Sequence, residues 1–186
     1  MYRVRDYGGI IVAHLSLALI LFSSYIINRV NIFYWFRQRW VEKQDVHGIP
    51  LTREGLTYFL VFNGLCLITI FCFFRVSLAG PGKVPEGLTA PFKSEFTRIE
   101  TCSRYNNKET WKPSRAHYCT SSKAYIFKLD HYCPWINNSI GHWNSKFYIQ
   151  FLYYLLLTSL VAILLICRSI LGLVLHARAK IVMGEH

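Results

Sequence analysis

Three long apolar runs, separated by polar and basic segments, dominate the pattern of this chain. They cover residues 10–27, 56–74 and 147–167, are 18, 19 and 21 residues long, and contain no Asp, Glu, Lys or Arg. At about 1.5 Å of rise per residue, helices of these lengths span about 27 to 31 Å, close to the roughly 30 Å of a bilayer core. The pattern therefore predicts an all-α integral membrane protein with three transmembrane helices.

Two other interpretations of these runs are less favoured. Buried helices of a soluble protein usually keep a polar stripe, and these runs have none. The first run follows Arg3 and Arg5 like a signal peptide. However, its length exceeds the usual 7 to 15 apolar residues, and no small-residue cleavage pattern follows it. We therefore expect it to be a retained span.

The basic residues give the expected orientation. Segment 75–146 contains eleven basic and five acidic residues, a net charge of +6, and residues 1–9 add two more basic residues. Two spans separate these regions, so they lie on one side, and the positive-inside rule places that side in the cytosol. The first loop, 28–55, also contains five basic residues, which counts against this orientation. Because the basic residues flank the spans and no nucleic-acid motif is present, we expect no nucleic-acid partner for the net charge of +11.

The polar segment between the second and third runs is predicted to be irregular. It opens on Gly80-Pro81-Gly82 and shows neither a sustained helical stripe nor long strand alternation. Segments of this kind are often stabilised by zinc bound to Cys and His at short, regular spacing. The chain has six cysteines but no Cys-x-x-Cys pair, and a set built on Cys102, His117 and Cys119 has poor spacing. Zinc is therefore not expected.

The chemistry of this segment is concentrated in Asp130-His131-Tyr132-Cys133-Pro134-Trp135. If the backbone is extended, His131 and Cys133 point the same way, so the imidazole is positioned to accept the thiol proton. Asp130 is then placed to orient the imidazole. Pro134 restricts Cys133 to an extended conformation. A thiol, an imidazole and a carboxylate beside a membrane indicate covalent acyl transfer.

The stretch from Lys112-Pro113-Ser114-Arg115-Ala116-His117 to Phe147 resembles the DHHC-type protein S-acyltransferases. These membrane enzymes move a fatty acyl chain from acyl-CoA to cysteines of other proteins. The glycine turn at Gly80 resembles their Asp-Pro-Gly turn, with glycine in place of the acid. The residues that match the family pattern are Pro113, Arg115, His117, Cys119, Asp130, His131, Cys133, Pro134, Trp135, Asn137, Asn138, Gly141, Asn144 and Phe147.

The resemblance also marks this chain as a divergent member. The family's cysteine-rich domain normally binds two zinc ions, and only Cys102 and Cys119 remain at its ligand positions in this pattern. The other positions hold Tyr105, Tyr118, Ser122, Tyr125, Tyr132 and Ser139. The motif reads Asp-His-Tyr-Cys, and the histidine that is lost would be a zinc ligand rather than the base. The family usually has four spans and a Thr-Thr-x-Glu motif beyond the last, whereas this chain stops after the third span and has no such motif. We therefore expect a truncated isoform, a fragment or a degenerate member.

The resemblance implies a protein S-acyltransferase that works through an acyl-cysteine intermediate on Cys133, with His131 as base and Asp130 as its orienting partner. Palmitoyl-CoA or another fatty acyl-CoA would be the donor, and cytosolic or membrane proteins with free cysteines the acceptors. Candidate substrate-binding residues are Trp135, Asn138, Lys112 and Arg115. The alternatives are a catalytically inactive relative that acts as a binding partner or regulator, and a plain membrane anchor.

These predictions divide the chain into three regions. Residues 1–75 form an N-terminal region with two spans, 76–146 a cytosolic DHHC-like domain, and 147–186 the third span and a short tail. The short spans fit the thinner membranes of the endoplasmic reticulum and Golgi.

Overall fold

The computed structural model describes residues 6–34, 53–90, 100–106 and 109–183. Its main elements are three long helices: α1 (Tyr7–Ile26), α2 (Arg53–Leu78) and α3 (Ser145–Met183). A π-helical stretch, Ile27–Phe33, continues α1. All three are long and apolar enough to cross a membrane, over Tyr7–Phe33, Arg53–Leu78 and Ser145–Ala179. This confirms the predicted all-α membrane architecture, although each helix extends beyond the apolar run that predicted it.

The ends of the helices follow from local sequence. Asp6 precedes α1, and its carboxylate accepts backbone N–H groups of Gly8 and Gly9, as an N-cap residue does. Helix α2 ends at Leu78, just before the turn that begins at Gly80, because proline cannot continue a helix.

The described chain forms two compact units, and the first comprises 18–70 and 152–186. Its core contains Ile27, Ile32, Phe62, Cys66 and Leu165. Polar pairs join its helical segments: the amides of Asn28 and Asn63 exchange hydrogen bonds of 2.9 and 3.0 Å. The hydroxyls of Thr69 and Thr158 lie 2.9 Å apart. Such pairs satisfy polar groups that a bilayer would leave without partners.

The second unit comprises 1–17 and 71–151 and contains the polar segment. Four short strands form two antiparallel hairpins. In the first, β1 (His117–Cys119) pairs with β2 (Ala124–Ile126). In the second, β3 (Tyr132–Cys133) pairs with β4 (Asn138–Ser139).

The turn that follows α2 lies against the first hairpin. Val84 N–H donates to the carbonyl of Tyr125, and Phe127 N–H donates to that of Gly82. Gly82 has a φ of 92°, a conformation that suits glycine, and a side chain there would meet the Trp143 ring at 3.3 Å. The polar segment is irregular, as predicted, but it has a small core of its own, which the sequence pattern did not predict.

Candidate thiol site

The hairpin formed by β3 and β4 positions the predicted chemical residues. Cys133 pairs with Asn138 across it, and Tyr132 pairs with Ser139. A 3-10 turn, Pro134–Ile136, joins the strands and ends at Asn137, whose φ of 49° is left-handed. Asparagine tolerates this conformation better than most residues, so the turn follows from local sequence.

Cys133 lies buried at the end of β3. Its backbone is extended, with φ of −107° and ψ of 105°, as the following proline predicts. The backbone N–H groups of Trp135 and Ile136 and the hydroxyl of Tyr148 donate to its thiol group. Burial raises the pKa of the Cys133 thiol above its ordinary value, although these three donors oppose the shift. The resting thiol is therefore protonated at neutral pH, and a base is needed to activate it.

His131 and Asp130 form the second part of the site. The His131 Nδ1 atom lies 3.2 Å from Asp130 Oδ2, and the two side chains are 40% and 71% exposed. When Nδ1 donates its proton to this carboxylate, Nε2 is left as a proton acceptor. Alternation along an extended strand places His131 and Cys133 on one side and Tyr132 on the other. Among the described residues, no hydrogen bond is recorded between His131 and Cys133, so the structure places them as neighbours only.

Tyr148 is the residue of this site that sequence reasoning missed. It lies in the first turn of α3, its hydroxyl contacts the Cys133 thiol, and its ring packs edge-on against His131 at 5.3 Å between centroids. In the sequence it is one more aromatic residue at the start of an apolar run. Only the pairing of the hairpin and its placement beside α3 bring it to the thiol.

The two candidate substrate-binding residues on the hairpin lie in different surroundings. Trp135 is 57% exposed on the turn just after Cys133. Asn138 is fully buried, and its amide nitrogen donates to the carbonyls of Val76 and Ala79 at 2.9 and 2.8 Å. Asn138 therefore satisfies free carbonyls at the end of α2.

The two candidate basic residues lie before the first hairpin. The Lys112 ammonium lies 2.6 Å from the Glu100 carboxylate, and its hydrogen bond to Glu100 raises the pKa of Lys112. Arg115 is exposed and has a φ of 66° in the turn that leads into β1. Within the described residues, no recorded contact joins either side chain to Cys133.

The first remnant of the family's zinc pattern, around Cys102, is an aromatic cluster. Cys102 is buried in a core with Tyr105 and Tyr125, and Tyr118 packs against it. The Tyr125 ring lies edge-on to Tyr105 at 5.1 Å and to Tyr118 at 5.2 Å. The Tyr105 hydroxyl donates to the Val84 carbonyl at 2.8 Å and accepts the Tyr125 N–H at 3.1 Å.

The second remnant, around Cys119, is a small hydrogen-bonded cluster. Its thiol lies 3.3 Å from the Ser139 hydroxyl, which donates to Ser122 at 3.2 Å. Burial would raise the pKa of Cys119, but hydrogen bonds from Ser122 and Ser139 lower it overall. In the described part of the chain, no group of three or more His, Cys, Asp or Glu side chains is arranged to hold a metal. The side chains present at these positions therefore do not fit a zinc site.

These observations define an integral membrane protein with a buried thiol beside an imidazole–carboxylate pair. Residues 96–184 match the family model described as DHHC palmitoyltransferase. This match, over just under half of the chain, supports the resemblance that the sequence predicted.

Similar proteins include the palmitoyltransferase ZDHHC3-A of Danio rerio, 29% identical over 173 residues that cover 89% of this chain and 49% of the relative. The palmitoyltransferase PFA3 of Saccharomyces cerevisiae is 29% identical over 142 residues, 66% of this chain and 41% of the relative. Its counterpart in Candida albicans is 56% identical over 52 residues, 27% of this chain and 14% of the relative. The chain spans about half the length of the curated relatives that it matches most fully.

Substitution of Tyr148 by Phe should slow alkylation of Cys133 by iodoacetamide. The thiolate is the reacting form, and the hydroxyl stabilises it by a hydrogen bond worth about 1.5 to 3 kcal/mol. Since one pKa unit corresponds to about 1.4 kcal/mol, the midpoint of the alkylation profile should rise by about one to two units. The rate below that midpoint should then fall about 10- to 100-fold.

The measurement is the alkylation rate from pH 6 to 10, followed by mass spectrometry of the peptide that contains Cys133. Tyr153→Phe is the matched control, because Tyr153 is exposed further along α3. An unchanged profile for Tyr148→Phe would show that the hydroxyl does not act on the thiol.

Proposed function

We propose that this chain is a protein S-acyltransferase that transfers a fatty acyl group from acyl-CoA to cysteines of other proteins through Cys133. The observation that carries the proposal is the buried Cys133 thiol beside Tyr148, whose ring packs against His131, and the contact of His131 with the Asp130 carboxylate. The family match supports the reaction type, and the relatives are named palmitoyltransferases.

In the first proposed step, His131 Nε2 accepts the Cys133 proton while Asp130 holds Nδ1. The thiolate attacks the acyl carbonyl, a C–S bond forms to Cys133, and the C–S bond to CoA breaks. The proton on His131 is available to the departing CoA thiolate. In the second step, His131 accepts the proton of a substrate thiol, the substrate thiolate attacks the acyl-cysteine, and a C–S bond forms to the substrate while the C–S bond to Cys133 breaks. The departing Cys133 thiolate takes the proton back from His131, which restores the resting thiol. This two-step scheme is a ping-pong mechanism.

Substrate contacts follow from the positions of the candidate residues. The exposed Trp135 side chain is the proposed apolar contact for the first carbons of the acyl chain. Arg115 is exposed and suited to bind CoA phosphates. Lys112 would have to break its ion pair with Glu100 before it could bind them. Full burial of a palmitoyl chain stabilises the complex by roughly 12 kcal/mol, at about 0.8 kcal/mol per CH₂. Only the apolar helices offer enough surface for that.

The proposed location is an endoplasmic reticulum or Golgi membrane, with the polar segment facing the cytosol. The charge of that segment supports this side, and a cytosolic site would have access to acyl-CoA and to reduced cysteines of its substrates.

We propose that the polar segment is stable without zinc. Tyrosine and serine occupy most of the family's ligand positions, and their hydrogen bonds and ring contacts hold the segment together. Tyr105 carries much of this effect through its two buried hydrogen bonds. Loss of one hydroxyl that satisfies two buried groups costs about 1 to 3 kcal/mol.

Substitution of Tyr105 by Phe should therefore lower the free energy of unfolding by about 1 to 3 kcal/mol, measured by thermal unfolding in detergent. Tyr118→Phe is the control, since it keeps the ring that contacts Tyr125. A zinc chelator should leave the unfolding temperature of the wild type unchanged. A fall of that temperature on chelation, together with zinc in the purified protein, would contradict the zinc-free proposal.

The direct test of the enzyme is acyl loading of the purified protein with labelled palmitoyl-CoA. Hydroxylamine-sensitive label should appear on the wild type and on Cys167→Ser, which removes an exposed cysteine of α3, but not on Cys133→Ser. Label that survives in Cys133→Ser would place the intermediate on another residue. A folded wild type that takes up no label would favour the inactive relative that acts as a partner or regulator.

The base is tested separately. His131→Gln should slow loading by about 10²- to 10⁴-fold, the usual contribution of a general base. His142→Gln should load like the wild type, because His142 is exposed and its recorded contact is the backbone bond from its N–H to Phe127. Loading of His131→Gln within threefold of the wild type would exclude His131 as the base.

A further inference from the structure

The hydroxyl of Tyr132 connects the candidate site to the N-terminal end of the first helix. It lies 2.6 Å from the Asp6 Oδ2 atom, to which it donates its proton, and 2.8 Å from the Asn137 Oδ1 atom. Tyr132 stands between His131 and Cys133 in the sequence, and Asp6 lies 126 residues earlier. This contact therefore joins β3 to a distant part of the chain.

Several hydrogen bonds hold the Asp6 carboxylate in place. Its carboxylate takes the Tyr132 hydroxyl and the N–H groups of Gly9 and Gly8, and these bonds lower the pKa of Asp6. Burial and the neighbouring Asp6 charge raise the pKa of Tyr132. The tyrosine thus keeps its proton at physiological pH and donates it to a charged carboxylate, which makes a strong type of hydrogen bond.

Gly9 shows how closely the helix approaches the site. A Cβ atom added at Gly9 would lie 2.4 Å from both the Tyr132 hydroxyl oxygen and Asn137 Oδ1, and 2.9 Å from Asp6 Oδ2. A Cβ added at Gly8 would meet only Asp6 Oδ1, at 3.5 Å. Only glycine at position 9 therefore permits the contact as it stands.

We propose that Asp6, through Tyr132, is a positioning residue that fixes the strand carrying Cys133. Tyr132 lies directly between His131 and Cys133, so anchoring its side chain fixes the backbone that carries both. In the family pattern this position is a histidine that ligates zinc. In this chain Tyr132 occupies that position, and the Asp6 carboxylate holds it through a hydrogen bond. The effect on acyl transfer rests on the function proposed above, whereas the effect on the Cys133 thiol does not.

The first test compares Gly9→Ala with its neighbour Gly8→Ala. The Gly9 variant keeps every hydrogen-bonding group but forces Tyr132, Asn137 or Asp6 to move. It should lower the rate of acyl loading at saturating acyl-CoA at least tenfold, with the half-saturating concentration changed less than twofold. The Gly8 variant should stay within twofold of the wild type in both. Equal behaviour of the two variants would overturn the proposal.

The second test asks whether Asp6 and Tyr132 act as one unit. Asp6→Asn keeps an N-cap residue but removes the charge, and Tyr132→Phe removes the hydroxyl. Each should lower the saturated loading rate, and the double variant should be no slower than the slower single one. If the two fold-changes multiply, the residues act independently and the proposal fails.

Alkylation of Cys133 by iodoacetamide separates this proposal from the proposed function. A loosened β3 exposes the buried thiol, so Gly9→Ala and Tyr132→Phe should raise the alkylation rate at least threefold, with Gly8→Ala unchanged. This result would support the positioning role even if the wild type took up no acyl label. Unchanged alkylation in both variants would overturn it, whether or not the wild type is an enzyme.

Discussion

The site depends on the hydrogen bonds that the side-chain amide of Asn138 makes. Its nitrogen donates to carbonyls at the end of α2, which the helix itself leaves without partners. Asn138 pairs with Cys133 across the hairpin. Its hydrogen bonds to α2 therefore connect the strand that carries the thiol to a membrane-spanning helix. The Asn144 side chain adds a second connection, since it accepts the Gly141 N–H and donates to the Ser139 carbonyl just before α3 begins. Through β4, the hairpin is thus attached to the end of α2 and to the residue that precedes α3.

A polar segment of this size has little apolar surface, so it needs other contacts to hold its fold. This chain uses tyrosines whose rings add apolar area and whose hydroxyls reach a polar partner, as Tyr105 reaches the Val84 carbonyl. The aromatic cluster around Tyr105 and the contact between Tyr132 and Asp6 follow the same rule. Tyrosine can do this because its ring fills space while its hydroxyl satisfies a buried carbonyl or carboxylate. Hydrogen bonds of this kind are directional, so they specify geometry as well as stability.

The sequence predicted the spans well, because helices in a bilayer need only length and a lack of charge, both of which can be counted. It also predicted the irregular segment, the extended backbone at Cys133 and the family. It did not reveal Tyr148 or the role of Asp6. Asp6 is 126 residues from Tyr132 and looks like an ordinary N-cap, while Tyr148 looks like one aromatic among several. Contacts between residues distant in sequence depend on hairpin register and helix placement, which no local pattern encodes.

The site combines two opposing requirements. Burial protects Cys133 from water but raises the pKa of its thiol, which reduces the thiolate on which acyl transfer relies. Three donors, two backbone N–H groups and the Tyr148 hydroxyl, act against this effect, and His131 is the proposed proton acceptor. Each of them helps only while β3 stays in register with its neighbours. A strand of two residues cannot hold that register by itself, so its anchoring through Tyr132 and Asn138 is a condition for the chemistry, not an addition to it.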